Sequence, residues 1–382
     1  MPPPSPPPSA AVLMEELVEE YLLRIPPDDP ATLVRAALVC KPWCRIVSAP
    51  RFRRRFRELH RTPPMLGLCY VTDDNPKGKN VARFVPTTSF SPPRGIRRNW
   101  HALDSRHGRV LLHHVNWNYG PFVIWDPISD EKQELPILPR LLHRDVVTWS
   151  AAVVCAAAGT CDHLDCQPGA FRVVAACTSI VEMFVYIYSS EIDAWSMVSA
   201  SNPGGLLLEG APGALVGNVL YFACFFSTKI LMCDLGMREI TFIDGPSPCP
   251  DAYGHSVLMT TEDGRLGMAH VLNFKLYISS SEVGPNGDAI WSPSRIIELA
   301  TLPPFSTLTR SPLALGAVDG VGIIFLRSLD GLFTIDIKSG HLRKCFEDRN
   351  ISHYVIPFMS FYNPALGMAS AGEESNVGTS NT

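Results

Sequence analysis

Residues 13–43, LMEELVEEYLLRIPPDDPATLVRAALVCKPW, decide how the chain begins to fold. Leu13, Leu17, Val18, Tyr21, Leu22 and Ile25 recur at helical spacing and predict one apolar helix face. Glu15, Glu16, Glu19 and Glu20 crowd its first turns, where a helix dipole favours negative charge. Pro26 and Pro27 stop the helix, because proline lacks the N–H that the ladder needs. Asp29 then caps a second helix with Pro30 at its first position, and Leu33, Ala37 and Cys40 share a face. Pro42 disfavours helical backbone at Lys41, so the second helix ends there and a third opens, carrying Trp43, Ile46 and Val47. Three short helices bury too little surface to be very stable alone, so such a unit needs a partner or the rest of its chain.

Leu13, Leu17, Ile25-Pro26, Val39-Cys40-Lys41 and Trp43 stand where an F-box has its pattern of Leu-Pro, helix, Leu-Pro, helix and Val-Cys-Lys-x-Trp. The first sixty or so residues therefore resemble an F-box, with Met14 in place of the usual first proline and Ile25 in place of a leucine. The first change weakens the entry loop and the second is conservative. The resemblance implies docking to the small Skp-type adaptor of a cullin-based SCF ubiquitin ligase, through Leu13, Met14, Leu17, Leu22, Ile25, Pro26, Val39, Cys40 and Trp43.

A chain of 382 residues suggests two domains, one of them large. With 46% hydrophobic and 18% charged residues it has the composition of a globular protein. A net charge of −4 gives no strong field for nucleic acid or an anionic membrane. Residues 1–61 hold ten Lys/Arg against seven Asp/Glu, a net +3, which leaves −7 for the remainder. The opening MPPPSPPPS has no basic region and too short an apolar run for a signal peptide, and reads as a disordered Pro-rich leader. Residues 206–226 are apolar enough to raise a transmembrane question, but Glu209, Pro212 and a Gly217-Asn218 turn favour two strands. Eleven scattered cysteines without a secretory signal predict mostly reduced, buried thiols and an intracellular protein of the nucleus or cytoplasm.

In residues 49–64, APRFRRRFRELHRTPP, Phe52, Phe56 and Leu59 fall on one helical face with five arginines around it. A nuclear-localisation or nucleic-acid patch is one reading. The solvated side of a helix packing its aromatics inward is preferred, and the weaker cluster of Arg94, Arg97 and Arg98 does not change that. Thr62-Pro63-Pro64 marks the domain boundary.

Beyond it, short β-type runs separated by Gly, Pro, Asp and Ser take over. An apolar strand recurs as GRVLLHHV (108–115), FRVVAAC (171–177), GNVLYFACFF (217–226), GRLGMAHV (264–271) and GVGIIFL (320–326). Each is followed by a strand and a polar turn, and the aligned turn residues Pro127, Ser190, Leu235, Ser280 and Ile337 are 63, 45, 45 and 57 residues apart. Spacings near 45 suit four-stranded propeller blades, each of which must stack on neighbours to bury its faces. Five blades are visible, and residues 67–72, 82–86 and a strand near 358–362 could assemble a sixth. This region resembles the kelch-like and F-box-associated propellers of plant proteins, and the blocks VGIIFLRSLDGLFTIDIKSG and YVIPFMSFYNP are similar to a large grass F-box family. The expected fold is thus multidomain, a small all-α F-box helical module followed by an all-β propeller-like domain. The bounds are 1–10 for the leader, 11–61 for the helices, 63–364 for the propeller and 365–382 for a disordered tail.

Cys161-Asp-His163-Leu-Asp-Cys166 is the best metal candidate. Its spacing fits no common closed zinc site and no companion pair lies near, so a metal-free polar loop between strands 153–158 and 171–176 is preferred. His113-His114 is mid-strand, and the two rings point to opposite faces. Asp73-Asp74, Asp126 and Asp336 read as turn carboxylates, with Asp126 and Asp336 at equivalent repeat positions. Trp117, Trp125, Trp149, Trp195 and Trp291 read as blade-to-blade packing, although a partner surface also uses such residues.

No G-x-S-x-G, Walker, H-E-x-x-H or G-x-G-x-x-G pattern occurs. The leading expectation is a non-catalytic, substrate-recruiting subunit of an SCF ubiquitin ligase. It would need no cofactor or metal, would bind neither nucleic acid nor membrane, and would hold an unknown target protein on its propeller. The alternatives are an oxidase- or hydrolase-type enzyme, and a peptide- or sugar-binding propeller outside the ubiquitin system.

Overall fold

A computed structural model describes residues 10–72, 81–93, 95–98, 100–114, 121–139, 146–157, 161–163, 166, 169–202, 204–225, 227–246, 256–283, 289–305, 308–347, 351 and 354–362. The expectations for the leader, Asp73-Asp74, Arg94, Trp117 and the tail fall outside these residues, as do the side chains of Leu13, Arg97 and Arg98.

Four helices open the chain: α1 (Ala10–Leu23), α2 (Pro30–Val39), α3 (Lys41–Ser48) and α4 (Pro50–His60). Asp29 caps α2, its carboxylate accepting from the Thr32 backbone N–H at 3.2 Å and the Thr32 hydroxyl at 2.6 Å. Leu22, Ile25, Leu33, Val47, Phe52 and Phe56 form the core of this unit. The arginine-rich α4 turns Phe52 and Phe56 inward and leaves Leu59 exposed. Arg55 of α4 reaches Glu19 at 2.6 Å and also Glu20, and these two carboxylates of α1 hold its guanidinium above its ordinary pKa.

The chain forms two compact units. One takes in the helices and runs to Leu66, together with Thr88–Phe90 and the described residues 360–362. Phe361 enters the helical core and meets Phe56 edge-on at 6.1 Å, and Ser89 accepts from the Ala31 N–H at 3.2 Å. A boundary read from local periodicity at residues 62–64 does not register these returning segments.

The second unit, Gly67–Thr87 with Ser91–Met359, is a six-bladed propeller. Blade one pairs Met65–Thr72, Val81–Pro86 and Ile96–Arg98, and takes its innermost strand, Ile356–Met359, from the far end of the chain. Blade two is Trp100–Arg106, Arg109–His114, Phe122–Trp125 and Lys132–Glu134. Blade three is Thr148–Cys155, Phe171–Thr178, Glu182–Ser189 and Ala194–Ser201. Blade four splits its inner strand into Leu207–Leu208 and Ala214–Val216, followed by Val219–Phe225, Lys229–Asp234 and Glu239–Asp244. Blade five is Ser256–Thr260, Leu266–Leu272, Lys275–Val283 and Ala289–Glu298, and blade six is Leu313–Val318, Ile323–Ser328, Gly331–Asp336 and Leu342–Phe346. The apolar run at 206–226 is thus strands, and no helix among the described residues is long and apolar enough to cross a membrane.

Neighbouring blades pack through apolar cores. Leu111, Phe122 and Ile124 of blade two pack on Val153, Val173 and Tyr188 of blade three. Val154, Val174 and Met183 of blade three pack on Leu220, Phe222 and Leu231 of blade four. At the outer edge, Trp195 of blade three donates to the Pro136 carbonyl of blade two at 2.7 Å, and Trp291 of blade five donates to the Asp244 carbonyl of blade four at 2.7 Å. These tryptophans sew adjacent blades together through indole N–H groups, which seek an acceptor when packed. Turn carboxylates act locally: Asp126 accepts from the Ile128 N–H at 2.8 Å, Asp234 from the Gly236 N–H at 2.8 Å and Asp336 from the Ser339 N–H at 2.7 Å.

In a propeller the inner strands line a central channel, and their two ends define its two mouths. At the C-terminal mouth, Arg106 contacts Asp104, the Gly213 carbonyl and, at 3.2 Å, Asp319. Asp104 also accepts from the Val153 N–H at 2.8 Å, and Asp319 accepts from the Thr260 N–H at 2.9 Å. One guanidinium thereby joins blades two, four and six, and its two carboxylate partners extend the network to blades three and five. Burial works against its charge, but Asp104 and Asp319 outweigh that and hold it above its ordinary pKa.

At the other mouth, the Tyr354 hydroxyl donates to Glu209 at 2.7 Å. Burial pushes the Glu209 carboxyl up to about 7, against the opposing pull of Tyr354 and the Ser256 backbone, and burial followed by the Glu209 charge raises the Tyr354 phenol. In the unfolded chain Glu209 ionises near 4.5, so between there and about 7 the folded state holds the extra proton. Stability from this group therefore falls as pH rises through that window and does not change below it. Glu209→Gln is expected to remove the slope and to exceed the parent by about 2 kcal/mol at pH 8, discounted for the carboxyl's remaining water contact. Urea denaturation at pH 5 and pH 8 checks this, and equal slopes for the two proteins would contradict it.

Candidate functional site

The docking candidates expected from sequence occupy two environments. Leu22 and Ile25 are in the helical core, at 0% and 6% exposure. Trp43 is half-buried and packs against that core. Met14 and Leu17 are 68% and 71% exposed, and Val39 is 64% exposed. Pro26 and Cys40 are also exposed.

Two further residues join the exposed set. Tyr21, at 66% exposure, continues the stripe of Met14 and Leu17 along α1, at i, i+3 and i+7. Leu38, at 78%, lies beside Val39 at the end of α2. The period of α1 alone groups Leu17 and Tyr21 with Leu22, because it cannot say which side of a broad apolar arc the other helices cover. The 14, 17, 21 spacing was the available signal for the outward stripe. Exposed apolar side chains grouped on helices of a small unit mark a surface that gains by being covered.

On the propeller, an open recess of about 470 Å³ lies against blade six, lined by Pro303, Pro304, Asp330, Leu342, Lys344 and Glu347. Its lining mixes apolar and charged groups, and among the described residues it holds no nucleophile paired with a base.

The loop after the inner strand of blade three differs from what its sequence suggests. Cys161, His163 and Cys166 are joined by Cys155, the last residue of that strand, and the donor atoms of all four lie within 4.8 Å of one another. Cys155 was missed because it reads as the buried end of an apolar strand, not as part of the loop. His113, by contrast, is buried among aromatic rings, its ring 4.6 Å from Trp149 and 5.5 Å from Phe122. Burial first and then neighbouring His114 push His113 down to about 4, so it is a neutral core residue near pH 7.

Residues 101–366 match the family model described as "F-box protein AT5G49610-like, beta-propeller". The chain belongs to this F-box protein propeller family. The match spans blades two to six and the ring-closing strand, and stops short of the helices and most of blade one. No curated protein matches the chain. Similar solved structures include the WD40 domain of SCAP from fission yeast, at 13% identity and TM-score 0.40, with 69% of this chain and 57% of that one covered. Others are a chain of the nidogen/laminin complex, at 9% identity and TM-score 0.41 over 76% and 97% of the two chains, and the Cps50 (Swd1) propeller of Myceliophteria thermophila, at 11% and 0.41 over 72% and 80%. These likenesses are too slight to argue from. Within its F-box propeller family, the chain presents an apolar helical surface in one unit and a ring of six blades in the other.

Proposed function

We propose that the protein is the substrate-recruiting F-box subunit of an SCF-type ubiquitin ligase, of the kelch-like, F-box-associated kind seen in grasses. Its helical unit docks on a Skp-type adaptor and through it a cullin, and its propeller holds a target protein inside the cell. The observation that carries this reading is the outward apolar set of Met14, Leu17, Tyr21, Leu38 and Val39 on the helices of an F-box family chain. Leu22, Ile25 and Trp43 would act from behind, keeping the helices in the shape that presents this set. The protein itself would make and break no bond. It would raise the concentration of the target beside a charged ubiquitin carrier, an effect of proximity.

The test is co-purification of the full chain with a Skp-type adaptor. Leu17→Lys with Val39→Lys is expected to weaken adaptor binding by at least about a hundredfold, since each replaces an apolar anchor with a charge at the interface. Both positions are exposed, and a lysine at the end of α2 suits its dipole, so the melting temperature should stay unchanged. Trp43→Ala should also weaken binding, but with some loss of helix stability, because the indole is part of the core. Full adaptor binding by the double lysine variant would sink the assignment.

A further inference from the structure

We propose that Cys155, Cys161, His163 and Cys166 form a structural zinc site that ties down the first loop of blade three. Three thiols and an imidazole are the donor set that selects zinc, and a fully protein-supplied set of four marks a structural rather than a catalytic site. A tetrahedral zinc with Zn–S near 2.3 Å sets its ligands about 3.8 Å apart. The His163 Nδ1 to Cys166 Sγ separation is 3.7 Å, and the four donors all fall within 4.8 Å, so closure on one ion asks for small side-chain shifts.

The backbone is arranged around the same point. The Ala156 N–H donates to the Ala170 carbonyl at 3.1 Å, the Cys161 N–H to Ala157 at 3.1 Å and the Gly169 N–H to Cys166 at 3.0 Å. The His163 N–H points at the Cys161 sulfur at 3.3 Å, with His163 itself in the left-handed region at φ 56°.

The next layer outward also fits a metal. Arg109, buried in blade two, donates to the Gly169 carbonyl at 2.6 Å and the Cys166 carbonyl at 3.3 Å, and lies over the Phe171 ring at 5.0 Å. Zinc with three thiolates carries one net negative charge, and the guanidinium of Arg109 neutralises it. The His107 ring stacks on His163 at 4.4 Å and fixes its plane. Such outer groups orient the ligands of metal sites.

Topology supplies the need. Blade two joins its first two strands across only His107 and Gly108, whereas blade three uses residues 156–170 for the same connection. A connection of that length between two paired strands gains from an anchor. The sequence argument against metal was that the spacing fits no common closed site and that no companion pair lies near; the end of the inner strand adds a single further ligand, Cys155, which completes a set of four.

The full-length chain, expressed in zinc-supplied medium and purified without chelator, is expected to carry about one zinc by elemental analysis. Cys161→Ser with Cys166→Ser should retain less than about a tenth of it. His163→Cys, which keeps four donors, and Cys177→Ser, a buried thiol outside the cluster, should both keep the metal. As a readout on the unaltered chain, exchange with cobalt(II) should give the visible bands of a tetrahedral thiolate site. An unaltered chain that lacks zinc and gives no cobalt bands would overturn the proposal. So would equal zinc in the double serine variant, or a Cys161–Cys166 disulfide found by peptide mapping.

Discussion

Ending the chain after Val355 is expected to abolish cooperative folding of the propeller. The strand Ile356–Met359 is the innermost strand of a blade whose other three strands come from residues 65–98. It lies against Trp100–Arg106 of blade two on one side and Leu313–Val318 of blade six on the other. Its Ile356 and Phe358 are 3% and 0% exposed. Removing two such side chains costs about 2–5 kcal/mol each, and the loss also opens two blade faces to water. That is comparable with the whole stability of a typical domain, about 5–15 kcal/mol. The same cut takes Phe361 out of the helical core. Circular dichroism melts and limited proteolysis are the measurements, and a sharp β-type melt at the parent temperature would contradict the expectation. Phe358→Ala, a milder form of the experiment, should lower stability by about 3–5 kcal/mol.

Arg106→Ala is expected to cost about 3–5 kcal/mol, the range for breaking a buried ion pair from one side. The side chain is 10% exposed and Asp104 is 4% exposed, so the substitution strands a carboxylate where water cannot replace its partner. The Gly213 carbonyl loses its donor at the same time. Asp319→Ala should cost far less, because its side chain is 40% exposed and water can take over at Arg106. The comparison separates a keystone from a surface contact. Equal midpoints in urea for Arg106→Ala and the parent would show that the channel mouth does not depend on this group.

Much of the local structure was legible in the sequence. Asp29, Pro30 and the Pro26-Pro27 stop predicted where α1 gives way to α2, because capping and proline geometry are decided within a few residues. The repeated second and third strands of blades two to six were visible, since alternation and turn carboxylates such as Asp126 and Asp336 are local signals. The inner strands were harder to see. Trp100–Arg106 (WHALDSR) sets His101, Asp104 and Arg106 among its apolar residues and Leu313–Val318 (LALGAV) is apolar throughout, so neither shows the strict alternation that marks a half-buried strand.

The sequence by itself determined that helices precede strands, that turns fall at Pro127, Ser190, Leu235 and Ile337, and that a closed stack of like units must bury the apolar runs; Ser280, aligned with those turns, lies inside the strand Lys275–Val283. Only the tertiary structure decided that Ile356–Met359 completes blade one, that Phe361 returns to the helices, and that Arg106 reaches from blade two to blade four. It also decided which apolar residues of α1 face outward, Leu17 and Tyr21, and which face inward, Leu22. The division follows from range. Backbone propensity, capping and alternation act over a turn or two and leave their mark in neighbouring residues. A pairing across tens to hundreds of residues leaves no local mark, because it is set by how the two surfaces fit once the ring has closed.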